Sequence, residues 1–145
     1  MNKIIEIDDI KIDLDGTSGE IIRQLHKLCD RYNLHWTLHG NGANILRGDY
    51  DFVAQVLFAG IYRVTIIIDL DFIVDNNIRL KVCEHEFSCD SFNLELMTIT
   101  TESGQSYNMY KDSYIEAKYF KDFKDYDEHC YRNTLVFMFK KGENE

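Results

Sequence analysis

Apolar and polar residues alternate along residues 3–14, where the apolar set is Ile5, Ile7, Ile10, Ile12 and Leu14. Alternation at every second position is typical of a strand that buries one side. A different spacing follows, because Ile21, Leu25, Leu28 and Tyr32 recur at the interval of a helix. Thr17, with Glu20 three residues later, fits a capping box at its start. We therefore predict a strand over 3–14 and an amphipathic helix over 17–33.

A short strand around Trp36 and Leu38 comes next, and the residues His39 to Asn44 are predicted to form a turn or loop because they are rich in Gly and Asn. Residues 50–58 and 61–74 then form the clearest hairpin. A three-residue loop at 59–61 pairs apolar residues throughout, for example Val56 with Val64. We prefer this register because a two-residue loop would bury polar side chains.

The rest of the chain is predicted to continue the sheet. Residues 75–77 form a turn that brings Leu80 opposite Phe72, and a further strand covers about 91–101. Residues 101–113 are predicted to be a loop, 112–128 a helix and 131–140 the final strand. The sequence thus predicts one α+β domain over 1–145. It would be an antiparallel meander of six or seven strands with an N-terminal amphipathic helix and a second helix near the C-terminus.

This register places four carboxylates on the outer face of the predicted hairpin: Asp49, Asp51, Asp69 and Asp71. Asp51 lies opposite Asp69, and Asp49 lies opposite Asp71, with Lys81 across the next turn from Asp71. Like charges facing each other destabilise a sheet. Three arrangements could offset this repulsion. They are exposure to solvent together with the Lys81 ion pair, a basic protein surface, or a metal ion.

The amount and the clustering of charge bear on these alternatives. The net charge is −9, and ten acidic but only three basic residues lie between Gly48 and Tyr110. Such a chain is expected to repel nucleic acid, and its acidity favours either a basic protein partner or simple solubility. No apolar run is long enough for a membrane span. The N-terminus has no signal-peptide pattern, and we expect a cytoplasmic location with reduced cysteines.

The metal alternative comes with a resemblance. A helix, a strand ending in LHGN and the sequence GDYDFV together resemble the opening of nucleotidyltransferases. The resemblance implies that Gly40 and Asn41 form the phosphate turn. It also implies that Asp49, Asp51 and Asp69 are catalytic carboxylates that bind Mg²⁺ for nucleotidyl or phosphoryl transfer.

The C-terminal part contains many tyrosines, which are enriched at protein interfaces. In its small size, acidity and aromatic content the chain is similar to toxin immunity proteins and to phage-encoded inhibitors of defence nucleases. We therefore expect a stoichiometric inhibitor without enzymatic activity, which covers the active site or nucleic-acid-binding site of a basic nuclease or toxin. The expected contacts are Asp49, Asp51, Asp69 and Asp71, with Tyr110 and Tyr114.

Overall fold

The computed structural model describes residues 3–49, 51–58, 60, 62–82, 85–87, 106–111, 115–124 and 131–140. Its helices are α1 (Ser18–Tyr32) and α2 (Leu70–Asp75). Its strands are β1 (Ile4–Ile7), β2 (Ile10–Asp13), β3 (His35–His39), β4 (Gly42–Arg47), β5 (Asp51–Leu57), β6 (Tyr62–Asp69), β7 (Leu80–Val82), β8 (His85–Phe87), β9 (Ser106–Lys111), β10 (Ile115–Lys124) and β11 (Tyr131–Lys140). The protein is α+β, as the sequence predicted.

Two antiparallel sheets organise these strands. The larger sheet has the order β3-β4-β5-β6-β11-β10, with β9 at its edge. The smaller sheet has the order β2-β1-β7, with β8 at its edge. The larger sheet is therefore two meanders joined where β6 pairs with β11. After β6 the chain leaves this sheet to form α2 and then β7 and β8 of the smaller sheet.

The first predicted strand is a hairpin, and its turn lies at Asp8 and Asp9. Both residues have positive φ, 52° and 68°, which is the geometry of a tight two-residue hairpin turn. Aspartate tolerates this conformation better than most residues do. The apolar positions change from odd to even between Ile7 and Ile10 because the chain reverses there.

Helix α1 confirms the predicted amphipathic helix. The Thr17 side chain accepts a hydrogen bond from the Glu20 N–H, and the Glu20 carboxylate accepts one from the Thr17 N–H. Asn33 ends the helix in the left-handed conformation, with φ of 55°. The buried side packs into a core shared by both sheets, and its members are Ile21, Leu25, Leu28 and Cys29. Neither helix in the described ranges has the length and apolar character of a membrane span.

The β5–β6 hairpin forms, but its register differs from the predicted one. Val56 pairs with Ile66 rather than Val64, so the partners are shifted by two residues and the last pair before the loop is Leu57 with Thr65. A shift of two leaves the paired residues of this hairpin on their predicted faces. Ala54 and Val56 are accordingly buried.

The second strand of that hairpin ends earlier than predicted. β6 stops at Asp69, and the residues from Leu70 onward form α2 instead of continuing the strand. The predicted pairing of Phe72 with Leu80 is therefore wrong. Leu80 pairs with Ile7 of β1, and Lys81 forms an ion pair with Glu6 at 3.8 Å rather than with Asp71.

The C-terminal half contains more strand than the sequence predicted. The helix predicted over 112–128 is wrong, because Ile115–Lys124 is strand β10, paired with β11 and β9. Part of the predicted loop, Ser106–Lys111, is strand β9. The final strand is confirmed as β11. The strand predicted over 91–101 lies outside the described residues.

Candidate functional site

The four aspartates expected on one face lie in four different settings. Asp49 is exposed in the turn between β4 and β5, and Asp51 is the first residue of β5. Asp69 ends β6 and Asp71 lies in the first turn of α2. The predicted cross-strand pairs of Asp51 with Asp69 and of Asp49 with Asp71 are therefore wrong. All four residues still lie at the same end of the larger sheet, because β5 starts where the antiparallel β6 finishes.

An arginine of the chain itself supplies one cation at this end. Arg47 pairs with Asp51 across the β4–β5 turn, and its Nε and Nη2 lie 2.9 and 2.7 Å from the same carboxylate oxygen. The guanidinium carbon is also 5.9 Å from the centre of the Phe72 ring. This contact links the β4–β5 turn to helix α2. The Asp51 carboxylate is therefore neutralised within the protein, although the pair remains partly exposed.

The Asp69 side chain has a structural role at the start of α2. It is only 6% exposed, and its side chain accepts a 3.2 Å hydrogen bond from the backbone N–H of Asp71. It is thus the N-cap of α2, a role in which a short carboxylate satisfies a free N–H at the start of a helix. Asp69 therefore positions the start of the helix that carries Asp71.

Three carboxylates at this end of the sheet are exposed: Asp49, Asp71 and Asp75. Asp71 and Asp75 are four residues apart on α2, so they lie on the same side of the helix. We call the surface formed by Asp49, Asp51, Asp71 and Asp75 the acidic end. Within this surface, Arg47 forms an ion pair with Asp51.

The arrangement implied by the nucleotidyltransferase resemblance does not form. Gly40 and Asn41 lie at the tip of the β3–β4 hairpin, whereas Asp49 and Asp51 lie beyond the other end of β4. Six residues of strand separate the two places, which is roughly 20 Å. In the part of the chain that the structure describes, no group of three or more His, Cys, Asp or Glu is placed to hold a metal ion.

The two tyrosines expected at the interface are Tyr110 and Tyr114. The backbone of Tyr110 lies in β9, opposite Ala117 of β10. Tyr114 lies outside the described residues.

A second polar cluster, which the sequence did not predict, joins the first hairpin to helix α1. The Tyr32 hydroxyl donates a 2.6 Å hydrogen bond to Oδ2 of Asp8, and Arg31 Nη1 lies 3.0 Å from the same oxygen. The Tyr32 and Arg31 contacts together hold the pKa of Asp8 below its ordinary value, against the opposing effect of burial. Burial and the Asp8 hydrogen bond raise the pKa of Tyr32 to about 12. The Asp8-Asp9 pair between Ile7 and Ile10 is the sequence feature that could have pointed to this turn and its cluster.

Beside that cluster lies a shallow cleft of about 220 Å³, lined by Glu6, Asp9, Arg79, Leu80 and Lys81. Its charges are of both signs, and Lys81 is paired with Glu6. Cys29 is also a poor candidate for a nucleophile, since burial raises the pKa of its thiol to about 11. The acidic end is therefore the strongest candidate surface in the described ranges.

Comparisons of the chain with protein-family models, with curated proteins and with solved structures find no match.

Proposed function

We propose that this chain is a stoichiometric binding protein that docks its acidic end against a basic protein and thereby blocks it. The observation that carries the proposal is the exposure of Asp49, Asp71 and Asp75 at one end of the sheet. Arg47, which lies at this end, already forms an ion pair with Asp51. A surface of this kind attracts lysines and arginines of a partner and accelerates their approach.

The repulsion between two carboxylates of this surface also supports a cationic partner. Like charges four residues apart destabilise an isolated helix by about 0.2–0.5 kcal/mol. Asp71 and Asp75 have this spacing on a helix of only six residues. A lysine or arginine placed between them would convert the repulsion into two attractive contacts.

The surface is held in place by residues that do not themselves contact the partner. Asp69 caps α2, and Phe72 and Ile73 bury the opposite side of the helix. Arg47 fixes the β4–β5 turn through Asp51 and contacts the Phe72 ring. Because both elements are anchored, the exposed carboxylates would lose little conformational freedom on binding.

The partner that fits best is a protein with a basic active site or a basic groove for nucleic acid, such as a nuclease or a toxin. The carboxylates would then occupy the place of phosphate groups. This inhibitor function would be exerted in the cytoplasm.

Affinity capture with matched baits tests the proposal. The test bait carries Asp71→Asn and Asp75→Asn, and the control bait carries Asp9→Asn and Asp30→Asn. Asp9 and Asp30 are exposed elsewhere, so both baits change the net charge from −9 to −7. We expect wild type and control to retain the same basic protein with 1:1 stoichiometry, and the test bait to lose it. Equal retention by all three baits would contradict the proposal.

A further inference from the structure

The outer edge of β3 is unlike the other sheet edges of this protein. Among the strands that the structure describes, four lie at sheet edges: β2, β3, β8 and β9. β2 carries Lys11 and Asp13, β8 carries Glu86 and β9 carries Lys111, whereas β3 has the sequence HWTLH. Charged residues on an edge prevent it from pairing with another chain. β3 has no Asp, Glu, Lys, Arg or Pro, and its pairing with β4 shows no bulge.

The end of β3 also leaves an apolar side chain uncovered. Trp36 and Leu38 lie on the same side as their partners in β4, Ile45 and Ala43, which are buried. The imidazole of His26 on α1 stacks on Trp36 with ring centres 4.6 Å apart. Leu38 is 80% exposed, although its neighbours on this side of the sheet are covered. The apolar side of the sheet thus continues past the edge of the core.

The free backbone groups of β3 belong to the same two residues. Gly40 and Asn41 form a two-residue loop, so His39 and Gly42 are the hydrogen-bonded pair next to the turn. Hydrogen-bonded and non-hydrogen-bonded pairs alternate along an antiparallel ladder. The N–H and C=O groups of Trp36 and Leu38 therefore point away from β4, toward the open edge.

We propose that β3 pairs with β3 of a second copy of this chain, in antiparallel orientation about a two-fold axis at Thr37. The order His-Trp-Thr-Leu-His makes the strand complementary to itself in this register. Trp36 lies opposite Leu38 of the other copy, and these pairs exchange backbone hydrogen bonds. Thr37 lies opposite its own counterpart, a favourable cross-strand pair. Each exposed Leu38 then packs beside the Trp36–His26 stack of the other copy.

The absence of charged residues at this edge favours the approach of a second copy, although the chain as a whole is acidic. Two copies, each with a charge of −9, repel one another over most of their surfaces. Residues 32–46, which include all of β3 and nearly all of β4, contain no Asp, Glu, Lys or Arg. This hairpin is where two copies approach with the least repulsion. Five residues of pairing form a small interface, so we expect a weak, concentration-dependent dimer.

Sedimentation of the whole protein between about 10 µM and 1 mM tests the pairing in the range of weak complexes. We expect a monomer–dimer equilibrium in wild type, and Leu38→Lys is expected to be monomeric throughout. Asp30→Asn is the control because it makes the same charge change, from −9 to −8, on an exposed part of α1. A wild type that stays monomeric, or a dimer that survives Leu38→Lys, would overturn the proposal.

Oxidative cross-linking tests the register and also covers the case in which Leu38→Lys fails to fold. Thr37→Cys places two thiols directly opposite each other, within the distance of a disulfide. His35→Cys places each thiol opposite His39 of the other copy, so the thiols are too far apart. We expect covalent dimer from Thr37→Cys at least tenfold above both His35→Cys and wild type. Equal cross-linking of the two variants would overturn the proposed register.

Discussion

The hydroxyl of Tyr32 donates a 2.6 Å hydrogen bond to the carboxylate of Asp8, and this bond joins the last turn of α1 to the tip of the first hairpin. The Tyr32 ring also contacts the Phe72 ring edge-on, with centres 5.3 Å apart. Phe72 belongs to α2, which carries Asp71 and Asp75. One tyrosine thus connects the smaller sheet, helix α1 and the helix of the acidic end.

Removing that hydroxyl should destabilise the fold measurably. A hydrogen bond to a charged group contributes about 1.5–3 kcal/mol, and we expect Tyr32→Phe to lower the free energy of unfolding by that amount. The Phe72 contact is kept because phenylalanine retains the ring. The measurement is urea denaturation, with Tyr62→Phe as the control that removes a hydroxyl elsewhere. Equal losses for the two variants would contradict a special role for Tyr32.

The Asp8 cluster also predicts a dependence of stability on pH. The pKa of Asp8 is lowered in the folded state, chiefly by the Tyr32 hydrogen bond. A depressed carboxylate pKa stabilises the fold above the unfolded pKa of about 4, and this contribution disappears as the pH falls through the folded pKa. We expect Asp8→Asn to be less stable than wild type at pH 7, and the difference to shrink below about pH 4. A difference between Asp8→Asn and wild type that stays constant from about pH 7 to below about pH 4 would refute the assignment.

Asp69 and Asp71 should respond differently to the same substitution. Asp69 is a buried N-cap, so Asp69→Ala should cost at least about 0.5–2 kcal/mol of unfolding free energy. Asp71 is exposed, and Asp71→Ala should stay within about 0.5 kcal/mol of wild type. Thermal or chemical denaturation measures both. If Asp71→Ala proves the more damaging, Asp71 has a structural role and is a poor candidate for partner contact.

The capping box of α1 gives a prediction based on local structure. Thr17→Ala should reduce the free energy of unfolding by about 1 kcal/mol because the Glu20 N–H loses its partner. Thr17→Ser keeps the hydroxyl and should remain close to wild type. Comparison of the two by denaturation separates the cap from general effects of substitution, and equal stability of both variants would count against the cap.

Helix α1 was predictable because its cap, its apolar spacing and its end all lie within a short stretch of sequence. The end of β6 was not, since Leu70, Phe72 and Val74 continue the strand alternation although they belong to α2. The position of Asp69 before them is a helix N-cap signal that competes with that alternation. The prediction consequently placed the four aspartates on one face of a hairpin. In the structure they occupy a turn, the start of a strand, a helix cap and a helix.

β10 was predicted to be a helix because its apolar pattern is interrupted. Its pairing with β11 changes register between Phe120 and Phe123, and its pairing with β9 changes between Ala117 and Lys118. Such bulges break the two-residue period on which strand prediction depends. β4 was missed for another reason, since Gly42, Ala43 and Asn44 are poor strand formers. Gly42 is nevertheless needed there, because a Cβ atom would collide with the Val56 carbonyl.

The most direct test of the acidic end is its association rate with the captured basic partner, measured by stopped flow at several salt concentrations. We expect the rate for wild type to fall steeply with salt, since exposed charges are screened over about 8 Å at physiological ionic strength. The Asp71→Asn/Asp75→Asn variant should associate at least tenfold more slowly at low salt and depend less on salt, whereas Asp9→Asn/Asp30→Asn should follow wild type. Equal rates and equal salt dependence for the two variants would contradict the account, because they would show that net charge rather than the acidic end governs binding.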